Sequence, residues 1–343
     1  MIKSKAVKNS FWLIIEKFIS IFGLVFVTSF VAKYIGPESF GKINFYSSIF
    51  VVFVTVSTWG IDVISTKRLS RNVFSGVRLL HSLKYIRLII LTFLSVPLLF
   101  YVYTFTDRLS FIFTLSLFIA NVFVVQDIYT YYNDSTYQSF YNVVSNVIGV
   151  IFGLALRFVI AYLKLSPEYL SLAIVTVSLV PFLIRYFVFN ARYLKEKTPA
   201  KFRHQKRYIS YVMYTGASLV VSAVSVTLYI NISSLLLGSL VSKEALGIYA
   251  VAATIGGAWS FVNIAVLKSF TPMLYSSKDS SEINSKCSAL AWVMIFFGGG
   301  YWFFYFLCGD FLIKLLYGRD YYSAYYVGCF IVITKRLSNL GQL

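Results

Sequence analysis

Runs of roughly 20 apolar residues recur along almost the entire chain, and no other feature restricts its fold as strongly. A helix of about 20 residues spans the roughly 30 Å hydrocarbon core of a bilayer. The runs lack the alternation of apolar and polar residues that is typical of membrane β-strands. Because 58% of the 343 residues are hydrophobic and only 13% are charged, a water-soluble particle of this size would lack polar surface. The sequence therefore predicts an all-α, polytopic membrane protein.

We expect about ten transmembrane helices. By hydropathy they cover residues 10–32, 43–61, 85–104, 110–132, 141–163, 170–190, 209–237, 246–268, 289–307 and 321–334. The first is longer than the core of a signal peptide and carries Glu16 and Lys17, so we expect it to be retained as a helix. Lys and Arg concentrate at the N-terminus, in alternate loops and at the C-terminus, as they do on the cytoplasmic side of membranes. Both termini are therefore predicted to be cytoplasmic.

A four-residue pattern occurs twice, at equivalent places. Glu38-Ser39-Phe40-Gly41 follows the first predicted helix, and Glu244-Ala245-Leu246-Gly247 follows the seventh. We interpret both as extracytoplasmic turns and the chain as an internal duplication. Such duplications are typical of transporters, because two similar bundles can open a central site to either side in turn. When the copies are aligned, Leu343 falls opposite Tyr137, just after the fourth helix, so the second copy is expected to be short at its C-terminal end.

This duplication predicts three parts. They are an N-terminal six-helix bundle (1–190), a basic cytoplasmic linker (191–208) and a C-terminal bundle of about four helices (209–343). The linker is rich in Lys and Arg, contains Pro199 and shows no apolar periodicity. Cytoplasmic loops of this kind, lying against anionic lipids, account for the net charge of +18. We therefore expect no nucleic-acid partner.

The fifth predicted helix carries a stripe of polar and small residues. Asn142, Asn146, Gly149, Gly153 and Arg157 fall within about 80° of one another around the helix axis. Glycines four residues apart permit close packing, so this stripe is expected to meet another helix or a wet cavity. Arg157 then either lines that cavity or reaches the outer headgroups and anchors the helix. The sequence leaves both possibilities open.

Other charged residues lie inside predicted helices. Glu16 and Lys17 point about 100° apart and cannot pair along their own helix, so each belongs either to an interhelical ion pair or to a site. Asp127 is a candidate for a cavity or for taking up a coupling proton. Arg185 lies within two turns of the cytoplasmic end of its helix, where we expect it to snorkel to the headgroups.

The seventh and eighth predicted helices carry polar stripes without charge. Ser222 and Asn263 are their candidates for facing a wet lumen. Such stripes suit helix packing equally well, so these two assignments depend on where the helices meet.

No catalytic or cofactor-binding pattern is visible. The chain has neither a phosphate-binding Gly-rich loop nor a zinc-protease motif. Cys287, Cys308 and Cys329 have no paired spacing, which indicates neither a disulfide framework nor a metal site. A membrane polymerase or ligase would need an extracytoplasmic catalytic loop, and the longest such stretch, 308–320, is too short for one. We expect no enzymatic activity and no cofactor.

Several short motifs resemble those of one family of membrane proteins. They are Asn9-Ser-Phe-Trp12, Tyr34-Ile-Gly-Pro-Glu-Ser-Phe-Gly41, Trp59-Gly60 followed by Lys67-Arg68, and Leu246-Gly-Ile-Tyr249. Together they resemble the Wzx-type flippases of bacterial O-antigen and polysaccharide export. These flippases belong with the peptidoglycan-precursor flippases and the multidrug MATE antiporters in the MOP superfamily. The resemblance implies a MATE-like fold of two bundles flanking a central cavity, here with six and four helices.

The resemblance also implies a cargo and a mechanism. The cargo would be an undecaprenyl-pyrophosphate-linked oligosaccharide, an O-antigen or capsule repeat unit, moved by alternating access from the cytoplasmic to the periplasmic leaflet of the bacterial inner membrane. The implied cavity residues are Arg157 and Lys17 for the pyrophosphate, and Asn142, Asn146, Ser222 and Asn263 for the glycan. Glu16 or Asp127 would couple transport to H⁺ or Na⁺. The implied partners are membrane lipids, a polysaccharide polymerase and a chain-length regulator of lipopolysaccharide biosynthesis.

Two alternatives stay open. A MATE-like drug or metabolite antiporter would share the fold but export cations, for which acidic lumen residues should outweigh basic ones. A non-transporting component of a polysaccharide assembly complex would keep the fold without moving cargo. The charged residues inside the predicted helices balance, so they favour an anionic cargo only slightly.

Overall fold

A computed structural model describes residues 2–136, 138–193, 202–258 and 280–340. All regular structure in these ranges is helical, which confirms the expected all-α fold. The α-helices are α1 Ile2–Thr58, α2 Ile61–Arg71, α3 Val73–Phe105, α4 Arg108–Gln126, α5 Tyr129–Ser135, α6 Ser139–Tyr162, α7 Leu170–Tyr193, α8 Phe202–Leu236, α9 Lys243–Gly257, α10 Ser280–Leu316 and α11 Ala324–Leu340.

Seven stretches of the described chain are long and apolar enough to cross a membrane. They are Val25–Thr58, Val73–Phe105, Arg108–Gln126, Ser139–Tyr162, Pro167–Ala191, Lys206–Val241 and Met294–Leu316. A shorter apolar stretch, Ala324–Thr334, corresponds to the last predicted helix. The eighth predicted helix corresponds to α9 only in part, because residues 259–268 lie outside the described ranges. The chain is thus a multi-pass membrane protein.

The chain divides into two compact units. Unit 1 comprises Met1–Gly23 and Lys42–Val241, and unit 2 comprises Leu24–Gly41 and Ser242–Leu343. Compact units and repeat halves are different properties of a chain, because a duplicated half can exchange helices with its neighbour. The predicted parts 1–190, 191–208 and 209–343 therefore stay a prediction.

Both copies of the repeated pattern lie where a helix begins. In α1 the backbone leaves the helical conformation at Gly36. Its φ of 78° is allowed for glycine but strained for residues with a side chain. Pro37 then starts a new helical stretch, a position that suits a residue without an N–H. The second copy falls in the first turn of α9, where the Ser242 hydroxyl accepts a hydrogen bond from the Ala245 N–H at 3.0 Å. The prediction of turns within the two patterns is therefore wrong: the breaks come just before them.

The repeated glycines face each other within unit 2. A methyl group on Gly41 would overlap the carbonyl of Lys243, and one on Gly247 would overlap the carbonyl of Pro37. Each of these carbonyls lies four residues before the glycine of its own copy, so the crossing is two-fold symmetric. The pattern recurs because each copy must offer the other a surface without a side chain.

Within unit 1, α6 and α7 pack closely along the glycines of α6. A methyl group on Gly149 would overlap the ring of Pro181, and one on Gly153 would overlap the side chain of Val177. The close helix contact predicted from this spacing is confirmed, and its partner is α7.

The loop between α3 and α4 carries an acidic helix cap. Asp107 accepts hydrogen bonds from the Ser110 N–H at 3.2 Å and the Ser110 hydroxyl at 2.8 Å, and it pairs with the Lys42 ammonium at 3.3 Å. Burial alone would raise the pKa of Asp107, but the hydrogen bonds from Ser110 and the nearby Lys42 charge outweigh it and lower the pKa. The carboxylate therefore stays ionised at neutral pH and caps α4.

Candidate functional site

A buried acid lies where α4 meets α5 in unit 1. Asp127 follows the last residue of α4 and is 7% exposed. Its Oδ1 accepts a hydrogen bond from the Thr130 N–H at 3.3 Å, in the first turn of α5. The short helix thus holds the carboxylate in place, with its other oxygen directed at α7.

The partner of Asp127 is Arg185 of α7. The Arg185 Nε donates to Asp127 Oδ2 at 2.7 Å, and Nη1 donates to Asn146 Oδ1 at 2.7 Å. Arg185 is 7% exposed, so the expectation that it snorkels to the headgroups is wrong. The Asp127 carboxylate, 58 positions earlier in the chain, meets this guanidinium within the protein, and the pairing removes the need to reach water.

Asn142 ties α6 to α5. Its Nδ2 donates to the Thr130 carbonyl at 3.0 Å and to Asp134 Oδ1 at 2.8 Å, and its Oδ1 accepts from Asn133 Nδ2 at 2.9 Å. Asn142 is therefore fully engaged by the protein. We call Asp127, Thr130, Asn142, Asn146 and Arg185 the Asp127 cluster.

A second buried cation lies in the same unit. Arg87 of α3 is 1% exposed, and its guanidinium lies 5.6 Å from the ring centre of Tyr131. Within the described residues its Nε and Nη1 have no hydrogen-bond partner. Buried donors of this kind favour an anion or a dipole beside them. Sequence reasoning missed Arg87, because an Arg near the start of a predicted helix is normally read as interfacial.

Arg157 lies apart from the Asp127 cluster. It is eleven residues after Asn146 on α6, which corresponds to about 16 Å along the helix. It is half-buried and forms no ion pair or hydrogen bond with any other described residue. One turn before it, Leu154 packs against Gly23 of α1, so this end of α6 is covered by α1.

The remaining predicted site residues are placed only in part. The side chains of Glu16 and Lys17 and all of Asn263 lie outside the described part of the structure. Ser222 is exposed on α8. The structure therefore brings Asp127, Asn142 and Asn146 together and leaves Arg157 and Ser222 elsewhere on unit 1, and their roles stay predictions. In the described ranges no three His, Cys, Asp or Glu side chains converge as metal ligands would.

Comparisons with known proteins agree on a family and a fold. Residues 6–278 match the model of a family described as "Polysaccharide biosynthesis protein". The structure is similar to the inward-facing conformation of a multidrug resistance MATE family transporter of the MOP superfamily, with a TM-score of 0.60 and 13% identity. The similarity covers 94% of this chain and 81% of that one, and at this identity it shows the fold alone. No curated protein matches the chain by sequence.

Proposed function

The chain belongs to the polysaccharide biosynthesis protein family, and from this membership we propose that it is a flippase for a lipid-linked oligosaccharide. Family and fold together assign it to the transporters. The proposed cargo is an O-antigen or capsule repeat unit on undecaprenyl pyrophosphate. It would move from the cytoplasmic to the periplasmic leaflet of a bacterial inner membrane.

The proposal of an anionic cargo depends on the signs of the buried charged side chains. Among the described residues the buried charged side chains are Arg87, Arg185 and Asp127. Asp127 is neutralised by Arg185, and Arg87 keeps unpaired donors. A cation antiporter would need an excess of buried acid, whereas the described side chains of this unit hold an excess of buried guanidinium. An anionic cargo is therefore favoured over a cationic one.

We assign the pyrophosphate to Arg157. Arg157 is a half-buried guanidinium on a membrane helix with no ion pair or hydrogen bond to another described residue, and such a charge is costly unless an anion or water reaches it. Lys17 of α1 is the proposed second cation, since Gly23 of the same helix packs beside Leu154, one turn before Arg157. Ser222 and Asn263 are proposed to face the glycan. Asn142 and Asn146 would join them only if their present hydrogen bonds open during the transport cycle.

Ion coupling belongs to the return of the empty carrier. Outward movement of two phosphate charges is favoured by an inside-negative potential, at about 2.3 kcal/mol per charge per 100 mV. The empty cavity must return without the cargo charge that balanced its cations, so H⁺ or Na⁺ exchange is proposed for that step. Glu16 is the stronger candidate, because protonation of Asp127 would leave Arg185 buried without its counter-ion. A polymerase and a chain-length regulator are the proposed partners downstream.

Substitution of Arg157 tests this proposal. In a flippase-null strain at equal expression, Arg157→Ala should lower surface polysaccharide by about tenfold or more, since a charged hydrogen bond contributes about 1.5–3 kcal/mol. Arg157→Lys should restore part of the export, because it keeps the charge but not the fork of donors. Arg108→Ala is the matched control: Arg108 is exposed and pairs with Glu168 at 3.5 Å. Normal export in both Arg157 variants would remove this residue from the site.

A further inference from the structure

A short turn joins α1 to α2 and fixes α2 against α8. Trp59 and Gly60 have φ values of 48° and 67°, so the chain reverses through two left-handed residues. The Trp59 indole donates to the Met213 carbonyl at 3.2 Å. A methyl group on Gly216 would overlap the Trp59 carbonyl, and one on Gly60 would lie 2.7 Å from Leu219 Cβ. These contacts hold the turn that precedes α2 against α8.

Two adjoining cavities lie along the α2 and α8 surfaces. One of about 390 Å³ lies between the two helices, and one of about 460 Å³ lies at the start of α8; both are lined by Tyr211. We call them together the α2–α8 pocket. Its far end is apolar, with Val63, Ile64 and Leu219. Its near end is cationic, with Lys67, Arg68 and Arg71 from α2 and Lys206 and Arg207 from α8.

The cations of this pocket are not balanced by acids in the part of the chain that the structure describes. No ion pair to another described residue is formed by any of four of these cations, which are Lys67 and Arg71 of α2 and Lys206 and Arg207 of α8. Elsewhere in unit 1 an exposed cation does pair: Arg108 lies 3.5 Å from Glu168. The pocket therefore gathers uncompensated positive charge at the end of the unit that the charge distribution predicts to be cytoplasmic.

One guanidinium in the pocket is held in a fixed orientation. The Arg68 Nε donates to the Ser75 hydroxyl at 2.9 Å, and its guanidinium stacks over the Tyr208 ring at 4.8 Å. Tyr211 lies within 6.0 Å of the same guanidinium. These contacts use one N–H and one face of Arg68, and its remaining donors are available to an anion.

We propose that the α2–α8 pocket binds the phosphate headgroup of a membrane lipid. The cationic end would hold the phosphate, and the start of the hydrocarbon chain would lie along Val63 and Leu219. A free soluble anion would gain nothing from the apolar end, and a neutral lipid would gain nothing from the cationic end. The pocket therefore fits an anionic amphiphile. This inference concerns retention of a lipid and does not depend on the proposed transport.

The test compares two variants that each remove two cations. The full chain is reconstituted with equal amounts of phosphatidylglycerol and phosphatidylcholine, and the lipids retained after gentle detergent extraction are counted by native mass spectrometry. The wild type should retain phosphatidylglycerol preferentially. Arg71→Gln/Arg207→Gln should weaken retention about 25-fold, since each basic residue near a phosphate contributes about fivefold. Arg78→Gln/Lys84→Gln, which removes two cations of α3 outside the pocket lining, should leave it unchanged.

The result has clear alternatives. Unchanged retention in the pocket variant, or equal loss in both, would overturn the proposal. If the double variant does not fold, the exposed single change Lys67→Gln, with an expected fivefold effect, takes its place. Displacement of phosphatidylglycerol by undecaprenyl pyrophosphate would identify the cargo headgroup as an occupant, and failure to displace it would assign the pocket to bulk phospholipid. Displacement by inorganic pyrophosphate at equal concentration would contradict a lipid site. Polysaccharide export, scored separately in cells, reports on the flippase proposal alone.

Discussion

The contribution of the Asp127–Arg185 ion pair to the stability of the protein depends on its burial. Both residues are 7% exposed, so water contributes little to the stability of either charge. In such an environment the loss of one member leaves the other charge without compensation, which is far more destabilising than the loss of an exposed pair. Asn146 adds one neutral acceptor to Arg185 and cannot replace the carboxylate.

We predict that Asp127→Asn destabilises the protein by about 3–5 kcal/mol, because it leaves Arg185 buried with neutral partners. Thermal unfolding of the purified protein in detergent is the measurement. The double variant Asp127→Asn/Arg185→Gln should recover part of the loss, as expected for a coupled pair. The matched control is Asp310→Asn, which removes the partner of Lys314 from an exposed pair at 2.8 Å and should change stability by at most about 1 kcal/mol. Equal destabilisation by Asp127→Asn and Asp310→Asn would show that burial does not increase the contribution of the Asp127–Arg185 pair to stability.

The residue scale also marks where sequence reasoning stops. Helical periodicity predicted that Asn146 and Gly149 share one face of α6, and the glycine contact with Pro181 confirms the close packing. Periodicity describes one helix at a time, so it could not pair Arg185 with an acid 58 positions earlier. Sequence reasoning missed Arg87 for a related reason. Its burial depends on contacts with other helices of unit 1, such as Tyr131 of α5, and a hydropathy pattern does not describe contacts between helices.

At the scale of elements, hydropathy found the long helices and missed the short ones. It predicted α3, α4, α6 and α7, because each buries about 20 apolar residues in a membrane. It placed α2 in a basic loop, because eleven residues with Lys67, Arg68 and Arg71 carry no membrane signal. It also misplaced the break in α1, since the conformational change is confined to Gly36 and the helix resumes at once.

The crossing of Gly41 and Gly247 gives a prediction for the element scale. Gly41→Ala and Gly247→Ala should each destabilise the protein by about 1–3 kcal/mol or prevent folding, because the added methyl meets a backbone carbonyl that cannot rotate away. Monodisperse yield and the midpoint of thermal unfolding are the measurements. Gly300→Ala is the control, since nothing lies within 4 Å of the added methyl on α10 and helix propensity favours alanine by up to about 1 kcal/mol. If all three variants had the same yield and the same midpoint of thermal unfolding, close packing at the Gly41–Gly247 crossing would not be required for stability.

At the scale of the whole molecule, composition predicted a helical membrane protein and the internal repeat predicted a transporter, whereas the MATE-like fold was implied by the resemblance of short motifs to one family. The family match over residues 6–278 confirms the family, and the structural similarity to a MATE transporter confirms the fold. Sidedness, cargo and coupling depend on the membrane and on ligands, so a pattern of side chains constrains them only through charge. The charge carried through the membrane is therefore the property by which the whole molecule is best tested.

We predict that translocation responds to the membrane potential. In vesicles loaded with a fluorescent lipid-pyrophosphate analogue, collapsing an inside-negative potential should slow outward movement, because two phosphate charges gain about 2.3 kcal/mol each per 100 mV. Collapsing the proton gradient alone should slow the return of the empty carrier and hence multiple turnover, but not the first turnover. Glu16→Gln should remove the second effect and keep the first, and Arg108→Ala should change neither. Indifference of the wild type to both gradients would contradict an ion-coupled carrier of an anionic lipid, whereas dependence on the proton gradient in the Glu16 variant would transfer the coupling role to another acid.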